Sequence, residues 1–436
     1  MTAAQKVRKN NMAHNGLSLP GPENITRVVL QNGITLLVYE NFAAQSVVIS
    51  GVLNAGSIHD EPAHAGLAAI TASALMRGTQ HRDFNAIHES LEHNAADVSV
   101  SAGSHKANLY GKALAEDLPL LIDILGDVLR YPVFPAQQVE RLRGEIITGL
   151  QYRQHDTRYR AERAFRESLY PPTHPYHYSR TGTLQTVPTL SIADMQAFHR
   201  NHYGPKGLIL VIVGAVKAAQ AVDIVRARLE DWHNPNQQSD PTLPELTQRK
   251  STRRVNVPVP GKTQSDVVMG VVGPSRYAAD FQAATIANSI LGQFGMMGRI
   301  GEIVREELGL AYYAYSRIEG GHGPGAWSVA AGVNPSKVDL AIRRIKRELK
   351  RLTSEVVSDE DIADNKAYFT GHLPLQLESN EGLASVILNM ESYGLGLDYI
   401  QKYRDMIYRL SKEDLLNAAQ RYLNPKALVI AIAGPN

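Results

Sequence analysis

The chain has 436 residues, 44% hydrophobic and 20% charged, so it can build the cores of two to four domains of ~100–200 residues each. A formal net charge of +2 gives it no broad electrostatic attraction for nucleic acid. It has no cysteine, which excludes disulfides, thiolate metal sites and a cysteine nucleophile. The first residues, MTAAQKVRKNNMAHNG, are polar and basic with no apolar segment behind them. They are expected to form a flexible tail over 1–20, not a secretory signal, and a cytoplasmic location follows from that expectation. No apolar run approaches ~18 residues, so no membrane span is expected.

Ile25–Tyr39 alternates around Asn32-Gly33, the signature of a hairpin whose turn needs positive φ. Ser46–Leu53 is a further strand. Gly66–Thr79, GLAAITASALMRGT, has the helical spacing of Leu67, Ile70, Ala74 and Leu75. Ala69, Ala72 and Ser73 share one face of it and offer neither a metal ligand nor a base. Asp83–His93 is predicted helical, Asp97–Leu114 a strand pair, Leu118–Arg130 an amphipathic helix and Pro135–Gln154 a long helix. A Tyr/Pro/His-rich stretch, Tyr170–Ser179, precedes a helix at Ile192–His202 and a strand at Leu208–Val213.

The second half repeats the first. Leu190–Gly214 aligns without gaps on Leu410–Gly434, sharing Leu, Ser, Asp, Pro-Lys and the final Gly. Val47–Gly56 parallels Asp266–Ser275 at nearly the same offset, so a unit of roughly 220 residues is duplicated. The repeat sets Gly66–Thr79 opposite Ala283–Gly292. The Pro/Asn/Gln-rich segment 231–250 is a linker between a domain at 21–230 and one at 251–436. Each half has the strand-then-helix mixture of an α+β domain.

VVISGVLNAGSIHDEPAHAGLAAITASALMRGT, LPLLIDILGDVLRYPVF and LGQFGMMGRIGEIVREELGLAYYAYS occur here in order. They resemble the M16 metallopeptidases, the insulinase and processing-peptidase group. The resemblance runs from about Ile25 to Pro435 and implies two similar tandem domains, each a mostly antiparallel sheet packed with helices. Together they would form half of a clam-shell. Active members carry His-x-x-Glu-His between Gly-Leu-Ala and Gly-Thr, two His chelating Zn²⁺ and the Glu serving as base. Here the frame remains, but Ala69, Ala72 and Ser73 stand at those places. The third-ligand position falls on Gly149, with Glu145 one turn away. The familial zinc site is absent, so this chain is expected to bind no cofactor.

The resemblance assigns a different pair. Arg305 and Tyr312 match the family's Arg and Tyr, which bind the substrate carbonyl and stabilise the oxyanion opposite the zinc. Gly309 is expected to cap the helix before the strand Leu310–Arg317. The chain thus resembles the zinc-less subunit of a heterodimeric peptidase. A homologous partner would carry His-x-x-Glu-His and the zinc, and an extended peptide would be the substrate. A non-catalytic assembly protein of the same fold is the alternative, and a metallopeptidase with relocated ligands a third reading.

Other residues imitate sites. His88, Glu92 and His93 match no zinc motif, because His93 points away from the face shared by His88 and Glu92. His174 and His177 belong to a Pro-rich loop. Gly320, Gly321, Gly323 and Gly325 lack the Lys-Ser/Thr of a phosphate loop. Arg343–Arg351 is a solvated basic face.

Overall fold

The computed structural model describes residues 19–293, 298–307 and 311–435, with the backbone alone at 305–307. The predicted tail lies almost wholly outside the described residues, as does the predicted cap at Gly309. The first sheet contains β1 (Ile25–Val29), β2 (Thr35–Glu40), β3 (Ser46–Leu53), β4 (Asp97–Ala102), β5 (Ala107–Leu114) and β6 (Ile209–Gly214), in the order β1-β2-β6-β3-β5-β4. The second contains β7 (Arg253–Pro258), β8 (Ser265–Val272), β9 (Ala311–Ile318), β10 (Ala326–Val333) and β11 (Val429–Gly434), in the order β7-β11-β8-β10-β9. Each sheet is antiparallel except for one parallel pair, β2 with β6 and β7 with β11. Laid over each other, β2-β6-β3-β5-β4 and β7-β11-β8-β10-β9 agree in order and direction. The duplicated sequence therefore corresponds to a duplicated topology.

The helices of the first half are α1 (Leu67–Ala74), α2 (Phe84–His93), α3 (Leu118–Arg130), α4 (Ala136–Gln154), α5 (Thr157–Leu169), α6 (Ile192–His202) and α7 (Ala218–Leu229). Those of the second are α8 (Phe281–Asn288), α9 (Arg299–Gly301), α10 (Val338–Leu352), α11 (Asp359–Gln376), α12 (Asn380–Ser392), α13 (Tyr399–Arg409) and α14 (Lys412–Tyr422). None of the helices among the described residues is long and apolar enough to cross a membrane. The repeat extends to the helix caps. Ser191 and Ser411 each accept the N–H three residues on, from Asp194 and Asp414 at 3.1 Å, and both aspartates accept the serine's own N–H at 2.8 Å. These reciprocal bonds satisfy two helix-end donors that would otherwise lack partners. α1 packs on β4 and α6, and α8 packs on β9 and α14, so the two first helices are equivalent.

Both sheets are buried on both faces, which is why their central strands are continuous apolar runs rather than alternating ones. In β2, Leu36 and Val38 face the helices of their own half, while Leu37 and Tyr39 face the other way. That second face is covered by α12, from the other half, through Leu383, Ala384, Ile387 and Met390. The exchange is reciprocal. α5 covers the corresponding face of the second sheet, placing Ala161, Phe165 and Leu169 against Val268, Ala330 and Ala431. The linker also differs from a free tether. It has no regular structure, yet Asn234 Nδ2 donates to Tyr203 O at 2.7 Å and Gln237 Nε2 to Lys206 O at 2.8 Å. His59 Nε2 and Asp240 Oδ1 stand 3.2 Å apart.

α1 starts at Gly66 with φ +99°, a left-handed backbone that glycine adopts without penalty. A Cβ there would also come within 2.7 Å of the Gly182 backbone. Asp60 accepts the N–H groups of Gly66 and Ala68, each at 2.9 Å, and so holds the helix start in place of an N-cap side chain. Burial pushes the Asp60 carboxyl up to about 7, against the pull of those donors.

Two outcomes are expected. Ile387→Ala empties a fully buried contact between the halves, so urea denaturation should show a loss of about 2–5 kcal/mol. Hydrogen exchange should then rise at Val211 and Val213 of the first sheet. The second concerns pH. Because Asp60 holds its proton to a higher pH in the folded chain than in the unfolded one, its contribution is complete below pH ~4 and is lost as pH rises through 7. Urea titrations of Asp60→Asn should therefore show a shallower decline of stability between those limits than the parent chain.

Candidate active site

The helix whose frame resembles the family's catalytic helix is shorter than its sequence pattern. It is α-helical to Ala74 and tightens into a 3₁₀ turn at Leu75–Arg77. Ala68 and Ala72 are fully buried and belong to the core of the first half. Ala69 and Ser73 are half-buried, and Arg77 continues their stripe four residues on. The position of the family's base, Ala72, is thus absorbed into packing, while the two ligand positions stay at the edge of the core.

Arg77 Nη2 donates to Glu145 Oε2 at 2.8 Å, and Arg141 Nε lies 3.3 Å from the other carboxylate oxygen. The one acid near the predicted third-ligand position is therefore tied to two guanidinium groups. One turn further along α4, Gly149 faces open space, with no atom within 4 Å of where a Cβ would lie. Among the described residues, no three His, Asp or Glu side chains stand close enough to hold a metal ion. Alanine, serine and glycine at the four positions do not fit a zinc site.

Tyr312 is presented differently. β9 is an edge strand, and its pairing with β10 slips between Gly332 and Val333. Gly332 faces Tyr313 and Val333 faces Ala311, so Tyr312 is the extra residue of a β-bulge. A bulge re-aims the side chain it carries, and Tyr312 is 81% exposed on a strand whose neighbours are largely covered. Ala314 and Ser316 point into the core of the second half, while Tyr313 and Tyr315 point toward α5. There the Arg158 guanidinium lies 5.1 and 5.2 Å from their ring centres. Tyr313 donates to the buried Asp266, which also accepts from Thr157 Oγ1 at 2.5 Å. α5 thereby fixes the strand immediately after the bulge. Arg305 lies in the helical turn Glu302–Glu307 that follows α9, and its side chain lies outside the described residues.

The remaining polar motifs have structural employment. His88 packs on Phe84 at 4.3 Å, and Glu92 and His93 are exposed. His174 is fully buried, stacked on Tyr170 at 5.3 Å, and its Nδ1 accepts the Tyr176 N–H at 3.1 Å. His177 Nδ1 lies 2.9 Å from Tyr170 O. The glycine-rich turn joins β9 to β10 and seats His322 on the Tyr393 ring at 4.8 Å. The basic face of α10 covers one buried acid, Glu348, which lies 3.6 and 3.7 Å from Arg347 and Arg351.

Residues 36–173 match the family model for insulinase, peptidase family M16, and residues 189–369 match that for the peptidase M16 inactive domain. An uncharacterized zinc protease of Streptomyces coelicolor is 26% identical over 373 residues, which cover 84% of this chain and 80% of that protein. The crystal structure of a peptidase M16 inactive domain from Pseudomonas fluorescens superposes with a TM-score of 0.87 at 22% identity, covering 95% of this chain and 98% of the other. A chain of complex III2 from Candida albicans shares the fold at a TM-score of 0.77 and 14% identity, over 94% and 96% of the two chains. With its duplicated α+β halves and both domain models matched in order, the chain belongs to the M16 peptidase family.

Proposed function

We propose that this chain is the zinc-less subunit of a heterodimeric M16 metalloendopeptidase. It binds an extended peptide and stabilises the transition state opposite the zinc of a homologous His-x-x-Glu-His partner. The observation that carries this reading is the asymmetry of the two candidate positions. The ligand face of α1 holds Ala69, Ala72 and Ser73, whereas Tyr312 is lifted out of its sheet by a bulge and offered to solvent.

When bound in the partner, the metal supplies a polarised carbonyl and an activated water. This chain supplies donors. The phenol of Tyr312 and the guanidinium of Arg305 give hydrogen bonds to the carbonyl oxygen as negative charge grows on it, an effect strengthened where water is excluded. Extended peptide can pair with the free edge of β4, the strand on which α1 packs.

The likeness to a chain of complex III2 favours a second reading, a non-catalytic assembly protein of this fold. An exposed bulged tyrosine has no role in that reading.

Metal analysis should find no stoichiometric zinc on the purified chain; stoichiometric zinc would instead establish relocated ligands. The chain alone should leave fluorogenic peptides intact and cleave them once the partner is added. In that mixture, Arg305→Ala or Tyr312→Phe should lower kcat/KM by roughly 10²–10³-fold. Unchanged rates in both variants would remove the assigned role, and peptide hydrolysis absent with every such partner would favour the assembly reading.

A further inference from the structure

A cavity of about 490 Å³ lies in the second half, walled by α8, α11, α12, α13 and the turn between β9 and β10. That volume is within the ~300–1,000 Å³ usual for small-ligand sites. Its walls are unusually aromatic: Phe281, Tyr368, Phe369, Tyr393, Tyr399 and Tyr403. Into this lining projects Arg276. Its guanidinium carbon lies 4.6 Å from the Phe281 ring centre, 5.8 Å from that of Tyr399 and 5.9 Å from that of Tyr393.

Among the described residues that line the cavity there is no Asp or Glu to neutralise this charge. The side-chain hydrogen bond of Arg276 goes to the Tyr399 hydroxyl at 3.0 Å, and Gln282 Nε2 donates to the same oxygen at 2.7 Å. A phenol oxygen has two acceptor sites and one proton. With both of those donors on its oxygen, Tyr399 keeps a proton for which no acceptor is seen among the described residues. Ring faces offset part of the cost of holding a cation out of water. A guanidinium has five N–H donors in a planar fork suited to a carboxylate, and most of them remain available.

We propose that this cavity binds an aromatic carboxylate. The carboxylate takes the free N–H groups of Arg276 and the proton of Tyr399. The ring lies among the tyrosines and phenylalanines, where offset and edge-on contacts are favourable. Two sources present this chemistry, a free aromatic acid and the C-terminal aromatic residue of a peptide. The site stands apart from the proposed peptidase role, since it uses neither Arg305, nor Tyr312, nor a partner subunit.

Calorimetric titration of the full chain distinguishes the outcomes with four probes: N-acetyl-phenylalanine, its amide, an acetylated Ala-Ala-Ala-Phe peptide with a free C-terminus, and that peptide's amide. Each acid should bind more tightly than its amide by on the order of 10-fold or more, the value of a hydrogen bond to a charged group. Arg276→Gln should erase that preference while leaving weak amide binding as it was. Should Arg276→Gln unfold, Arg276→Lys keeps the charge without the fork and is expected to weaken the acids alone. Tighter binding of the peptide acid assigns the site to peptide C-termini, and tighter binding of the single residue assigns it to a small aromatic acid. The proposal is overturned by equal affinities of acids and amides, by a preference that survives Arg276→Gln, or by no saturable binding at millimolar concentration.

Discussion

The architecture depends on a reciprocal loan of helices. Each sheet is apolar on both faces, but each half has helices of its own for only one of them. α5 leaves the first half to cover the second sheet, and α12 returns to cover the first. A sheet with one bare apolar face is not stable in water, because the hydrophobic term is lost while the ordering entropy is still incurred. Each half keeps a main core of its own and shares a second, smaller one with the other half.

This sharing also sets the candidate site. α5 holds Tyr313 and Tyr315 from the first half, and so fixes the strand whose bulge displays Tyr312. On α1, Ala72 belongs to the core, and Glu145 on α4 is the salt-bridge partner of Arg77. That pairing leaves no lone carboxylate beside the core, where one would be costly to hold. Gly66 serves the fold, since its left-handed backbone and its close approach to Gly182 both call for glycine.

Much of this was legible in the residues. Strand runs, the Asn-Gly turn and the two serine caps are local signals, and each appears where its chemistry places it. The helix α5 was not predicted. Its sequence, TRYRAERAFRESL, is dominated by charge, and its apolar stripe of Ala161, Phe165 and Leu169 is only one residue wide. Asp156, whose side chain accepts the Tyr159 N–H at 2.9 Å, is the cap that could have marked it. The bulge at Tyr312 could not be read, because it exists only in the register between β9 and a strand that follows it. The aromatic cavity was equally hidden, since Arg276, Tyr393 and Tyr399 approach one another only through folding.

The helix exchange also fixes the order in which the chain can mature. The first sheet is complete in sequence at Gly214, but the helix that seals its second face ends at Ser392. At ~5–20 residues per second, synthesis of the intervening segment takes roughly 10–40 s. For that interval the first half lacks the helix that covers Leu37, Val48, Val211 and Val213, so its sheet cannot reach its final stability. Vectorial synthesis thus delays completion of the first half's fold until α12, far downstream of β6, has been made.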